Sequence, residues 1–254
     1  MGIYCARKDG LNGIIVAKAA MWGILGCFWG SSMLALDDAS GGDSAKAIQI
    51  LLFISEGKSV FTALFGAGLF GATYLCWKKQ PLLPYADAAA PAVALGYAVA
   101  RIGCFLNGCC FGTPCELPWA VVFPQGTMAL YSHWESGWID ANAAASLPVH
   151  PVQLYHAAAG LLLFFLLRRV RGGCLPGTRL ALGMGGYGLL RFFLQFLRGD
   201  RVPVFGWLDI NQIFSIGFVM IAVLLVWNRI RKQASSPGDL PVPSPAEELQ
   251  PESS

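Results

Sequence analysis

Residues 91–112 read PAVALGYAVARIGCFLNGCCFG. Ten uncharged residues run straight into Arg101, and the eleven that follow hold one asparagine, three glycines and three cysteines. What an arginine does at the end of such a stretch depends on the solvent around it, and composition supplies that answer. Of the 254 residues 55% are hydrophobic and only 13% charged, with a mean hydropathy of +0.54. Soluble domains carry about twice that share of charge, so the balance is that of an integral membrane protein. A net charge of +3 gives no support to nucleic-acid binding.

Apolar segments fall at Asn12–Leu36, Ser59–Cys76, Ala88–Leu106, Pro151–Leu167, Leu180–Leu197 and Ile210–Trp227. Each is close to the ~20 residues that cross a bilayer as a helix, which predicts an all-α fold of six spans, with seven as the alternative. Ile48–Ile54 is too short to cross and reads as a re-entrant or interfacial piece. Residues 1–230 form the expected membrane domain. The Pro-, Ser- and Glu-rich segment 231–254 has no apolar face to bury and is expected to be a disordered cytoplasmic tail.

Basic residues mark alternate ends of these segments: Arg7 and Lys8, Lys78 and Lys79, Arg168, Arg169 and Arg171, then Arg229, Arg231 and Lys232. The positive-inside bias therefore puts both termini in the cytoplasm and makes residues 37–58, 107–150 and 199–209 external.

Charges inside spans are the informative anomaly. A guanidinium at mid-membrane costs on the order of 3 kcal/mol on insertion scales, so it persists where it meets an aqueous cavity or a polar partner. Arg101 lies near the outer end of the third segment. Arg191 lies within the fifth, in GYGLLRFFLQFLRGD, residues 186–200. There Tyr187, Arg191, Gln195 and Arg198 recur at helical spacing and make one polar face. Arginine pairs bidentately with phosphate oxygens, so two such residues on different spans point to the phosphate of a lipid headgroup. The third constellation, HPVQLYHAAAG at residues 150–160, starts the fourth span at Pro151 and sets His150, Gln153, Tyr155 and His156 at its entrance. His133, in a polar and aromatic loop, reads as a surface residue.

These three motifs, in this order and spacing, resemble the prolipoprotein diacylglyceryl transferase family over roughly Ser59 to Trp227. The resemblance implies a multi-pass enzyme of the bacterial inner membrane. Such an enzyme moves the diacylglyceryl group of phosphatidylglycerol to the lipobox cysteine thiol of a preprolipoprotein and releases glycerol 1-phosphate. It implies catalytic roles for Arg101 and Arg191 and substrate-binding roles for Gly103, Asn107, Gly112, Tyr187, Gln153 and His150, with no cofactor. The chain departs from the family pattern in two places. Cys104 and Cys109 stand where the usual signature has Asn and Glu, and Thr62, in EGKSVFTALFGAG, stands at the place of a histidine. Lys58, His150, His156 and Glu56 are the candidates left for taking up the thiol proton.

In this motif Gly103, Gly108 and Gly112 read as points of close backbone approach, and Asn107 as a cap or headgroup ligand. Cys104, Cys109, Cys110 and Cys115 give C-x4-C-C-x4-C, which is not a standard zinc spacing, so no metal is expected. Packing, an external disulfide and a metal site are the three readings of these thiols. The alternative to the transferase is a repurposed binder of anionic lipid or a membrane thiol protein.

Overall fold

The computed structural model describes residues 4, 9–38, 59–170, 175–201 and 203–235. Seven helices lie among the described residues: α1 (Gly13–Asp38), α2 (Ser59–Trp77), α3 (Leu82–Asn107), α4 (Met128–Glu135), α5 (Val152–Arg169), α6 (Thr178–Leu194) and α7 (Ile210–Ser235). A 3-10 turn at Gln195–Leu197 extends α6, and two short antiparallel strands, β1 (Pro203–Phe205) and β2 (Leu208–Asp209), lead into α7. The six apolar segments of the sequence coincide with α1, α2, α3, α5, α6 and α7. Three helical stretches, Leu82–Asn107, Thr178–Leu197 and Ile210–Asn228, are long and apolar enough to cross a bilayer. The segment Ile48–Ile54, the tail beyond Ser235, Glu56, Lys58 and the side chain of Thr62 lie outside what is described.

The burial pattern is that of a membrane protein, with polar groups inside and large apolar ones outside. On α6, Arg191 is 2% exposed while its neighbours Leu189 and Phe193 are 51% and 64% exposed. Gln153, His156, Gln195, Gln212 and Ser215 are buried, whereas Val99, Leu106, Leu162, Phe165 and Val223 are exposed. In water this arrangement would be inverted; in lipid it keeps these polar groups out of hydrocarbon.

Helices meet where small residues let backbones approach. The α1–α2 pair closes at Gly26, where an added Cβ would stand 2.2 Å from the carbonyl oxygen of Gly66. Gly160 of α5 lies against Tyr97 and Ala98 of α3, and Gly188 of α6 against Ser215 of α7. This is the small-residue packing that helices use where lipid supplies no hydrophobic drive. Around Gly160, Ala94, Leu163, Phe164 and Leu167 form the apolar centre between α3 and α5.

Two buried carboxylates fix helix starts. Asp87 of α3 accepts the backbone N–H groups of Gly177 at 2.6 Å and Leu180 at 2.7 Å, so it caps α6 from a different helix. Asp209 accepts from the Gln212 N–H at 2.8 Å while the Gln212 side chain accepts from the Asp209 N–H at 3.1 Å. That reciprocal pair is a capping box that starts α7.

The sequence reading of His133 as a surface residue is corrected here. His133 is 1% exposed, its ring held between Phe111 and Trp138, and its Nδ1 accepts the backbone N–H of Leu147 at 3.2 Å. Aromatic neighbours in the loop fold over it, which a count of local polarity does not reveal. Burial holds its imidazole below the ordinary histidine value. An unfolded histidine titrates near about pH 6.5, so below that pH the unfolded chain gains a proton that the folded chain resists. The expected outcome is a melting temperature in detergent that falls as pH drops below about 6.5, with a shallower fall in His133→Gln, checked by thermal unfolding across that range.

Candidate functional site

The site is built at the C-terminal halves of α3 and α6 and the N-terminal half of α5. Arg101 follows Tyr97 by one turn, and Arg191 follows Tyr187 by one turn, so on each helix the guanidinium lies over the preceding tyrosine ring. The Arg101 guanidinium carbon is 5.0 Å from the Tyr97 ring centre, and that of Arg191 is 5.9 Å from the Tyr187 ring centre. The two tyrosine rings meet edge to face at 5.1 Å and 90°. Arg101, Tyr97, Tyr187 and Arg191 therefore form one continuous path across two helices. Each cation–aromatic contact is worth on the order of 2 kcal/mol when desolvated, which offsets part of the cost of the buried charge.

α5 closes the third side. His156 is 2% exposed and its Nδ1 is hydrogen-bonded to the Tyr97 hydroxyl at 2.9 Å. Arg101, Arg191 and Arg198 all lie within electrostatic reach of this imidazole. The crevice between the helices is lined by Tyr97, His156, Gly160, Leu163, Tyr187 and Arg191. The Tyr187 hydroxyl, His156 Nε2, Gln153 Oε1 and Gln195 Oε1 are buried without a hydrogen-bond partner among the described residues. Buried polar atoms of this kind cost about 1–3 kcal/mol each unless a guest or water meets them, and here they lie beside two guanidiniums.

From α7 and its approach come the supports. Asn211 Oδ1 accepts from Arg191 at 3.0 Å, and Gln195 donates to the Asp209 carboxylate at 2.5 Å. Arg198 is held in a two-point pair by Asp200, at 2.8 and 2.6 Å. The loop after α3 is pinned to the start of α5: Gln153 Nε2 donates to the Cys109 carbonyl at 2.9 Å, and the Gly112 N–H to the His150 carbonyl at 3.1 Å.

Of the residues expected from sequence, Arg101, Arg191, Tyr187 and Gln153 come together here. His150 is half-buried beside the same loop, its imidazole 3.5 Å from the Tyr155 hydroxyl and its carbonyl engaged with Gly112. Asn107 is exposed at the last residue of α3, and the left-handed cap beyond it is Gly108, at φ 67°, so the expectation of Asn107 as a cap is corrected. Gly103 is corrected also, because an added Cβ there would meet nothing within 4 Å. Gly112 does need its hydrogen: a Cβ would fall 2.4 Å from the His150 carbonyl oxygen. Sequence reasoning missed Tyr97 and Asn211. A signal for Tyr97 was present, since YAVAR at 97–101 repeats the Tyr-x-x-x-Arg spacing of YGLLR at 187–191.

The fold and site define a helical membrane protein with a cationic, tyrosine-lined pocket. The chain belongs to the prolipoprotein diacylglyceryl transferase family, whose sequence profile matches residues 3–228. Curated relatives bear the name phosphatidylglycerol–prolipoprotein diacylglyceryl transferase. One from Clostridium tetani is 31% identical over 90% of this chain and 86% of its own length. One from Corynebacterium glutamicum is 30% identical over 78% of this chain and 63% of its own length, and one from Methylococcus capsulatus is 32% identical over 64% and 59%.

The two glycines of one motif should part company experimentally. Gly112→Ala forces backbone apart and is expected to lower stability by about 1–3 kcal/mol, while Gly103→Ala is expected to stay within about 0.5 kcal/mol of the parent. Melting of the two variants in the same detergent checks both.

Proposed function

We propose that this chain transfers the diacylglyceryl group of phosphatidylglycerol to the cysteine thiol of a prolipoprotein, working as a multi-pass protein of the bacterial inner membrane with six spans, cytoplasmic termini and an external 107–150 segment. The observation that carries the reading is the Arg101–Tyr97–Tyr187–Arg191 path buried among lipid-facing helices. The names of the relatives supply the substrates.

The chemistry asked of the site is a displacement. The substrate thiolate attacks the glycerol carbon bonded to phosphate, a C–S bond forms, the C–O bond breaks, and glycerol phosphate leaves with the electron pair. Negative charge grows on the leaving phosphate, where Arg101 and Arg191 supply fixed donors at no cost in reorganisation. Tyr187, with an unengaged hydroxyl, offers a further donor. Gln153 holds the α3 loop in place through the Cys109 carbonyl. Gly112 allows that loop to lie on His150, and Gly103 and Asn107 form the exposed outer end of α3 toward the incoming substrate. For the thiol proton, His156 is the candidate that lies in the crevice, and His150 stands at its rim.

Lysine keeps the charge but lacks the planar fork that both stacks on a ring and grips phosphate. Arg101→Lys and Arg191→Lys are therefore each expected to slow transfer by roughly 100-fold or more. The check is mass spectrometry of a lipobox peptide incubated with phosphatidylglycerol and purified protein. Near-parent rates in both variants, or no transfer by the parent itself, would overturn the reading. On topology, an impermeant thiol reagent added to intact cells should reach Cys115 and miss Cys76; labelling of Cys76 would invert the proposed orientation.

A further inference from the structure

Three cysteines of the α3 terminus have no part in the displacement just described. α3 ends in a Schellman motif: the Gly108 N–H bonds the Phe105 carbonyl at 3.1 Å and the Cys109 N–H bonds the Cys104 carbonyl at 3.2 Å. That motif brings the residue two beyond the helix end against the residue three before it, a pair that is usually a hydrophobic contact. Here the pair is Cys109 and Cys104. Cys110 then takes φ 57°, a left-handed conformation that costs a non-glycine residue roughly 1–2 kcal/mol. The turn brings its thiol back to the other two, so that the three Sγ atoms all lie within 4.8 Å of one another. Strain of this kind, held by the surrounding structure, marks a position where side-chain placement matters.

We infer that Cys104, Cys109 and Cys110 form a three-thiolate binding site for a soft d10 cation, Zn2+ or Cu(I), at the outer end of α3. Zn–S bonds of about 2.3 Å place sulfurs about 3.8–4.0 Å apart in tetrahedral or trigonal geometry, so closure needs less than about 1 Å of movement. Side-chain rotation supplies that, while the backbone stays pinned by the Gln153 bond to the Cys109 carbonyl. Thiolate is the ligand form, so binding draws the thiol protons off and affinity rises with pH. On binding, the thiols still protonated release their protons to solvent and the cation keeps its oxidation state. A divalent ion on three thiolates retains a net negative charge, which Arg101 and Arg198 are placed to balance. Cys115 is not among the thiols that converge, so a fourth ligand would come from outside this cluster.

The test uses the full chain in detergent, reduced and then freed of reductant without air. It is titrated in separate arms with Zn2+, with Co2+ as a spectroscopic probe, and with Cu(I) against a chromophoric chelator. The expected result is one equivalent of Zn2+ or of Cu(I), and in the Co2+ arm a thiolate-to-metal charge-transfer band. Affinity should fall in Cys104→Ser and in Cys109→Ser by more than the roughly 10–100-fold that loss of an outer-shell partner costs, and be unchanged in Cys115→Ser. A second readout needs no variant: the bound ion should protect Cys104, Cys109 and Cys110 from alkylation, as mapped by peptide mass spectrometry. Uptake well below one equivalent, protection at other cysteines, uptake unaltered in the triple Ser variant, or a disulfide among the three that survives reduction would each overturn the site.

Discussion

The constraint on which this structure turns is the cost of keeping guanidinium groups away from water. Arg101, Arg191 and Arg198 are all buried in a chain whose outer surface is made for lipid. The two buried aspartates of the helical region are committed elsewhere, Asp87 to the start of α6 and Asp209 to the start of α7. Tyrosine faces therefore do much of the matching, with the Asn211 amide oxygen at Arg191 and Asp200 at Arg198. Arg101 and Arg191 thus meet ring faces and an amide oxygen, while Arg198 is paired with a carboxylate. Under the proposed function, the phosphate of a lipid headgroup is the anion that meets this cationic surface.

The same constraint explains why the helices are packed as they are. A tyrosine–tyrosine contact at 5.1 Å between α3 and α6 requires α5 to come close on the third side, and Gly160 permits that approach against Tyr97 and Ala98. Gly188 does the same for α7 behind α6, and brings Asn211 within reach of Arg191. The segment between α3 and α5 then closes this end of the helices as a folded cover rather than a free loop. Its backbone bridges, Gly112 with Arg198 and Val121 with Val149, and its buried His133 tie it down. Close packing, polar burial and the cover are one solution to one problem, which is to hold charge in a low-dielectric setting without letting it relax away.

Placing a thiol cluster at the rim of this pocket extends the logic. Chain reversal at the end of α3 is enforced by Gly108, and the residues on either side of the reversal are cysteines. Positive charge from Arg101 and Arg198 reaches Cys110 as it reaches the crevice. In the two proposals a headgroup phosphate and a thiolate cluster answer the same cationic surface, and the departures from the family signature at Cys104 and Cys109 fall at the end of α3.

What the sequence by itself determined was the medium and the helices. Apolar length located all six segments, and the basic residues marked alternate ends. It also singled out Arg101, Arg191 and Tyr187, because a charge in an apolar run is anomalous wherever it is met. Only the tertiary structure decided which faces meet. Tyr97 joined the site through a contact with a ring 90 positions away, Asp87 became a cap for a helix it does not belong to, and His133 was buried by neighbours that fold over it. The cysteine spacing spoke against a metal site, and the left-handed turns at Gly108 and Cys110 brought three of the four sulfurs together all the same. The reason is physical: periodicity along one chain reports the solvent each residue sees on average, whereas helix rotation and loop closure are set by packing between segments distant in sequence.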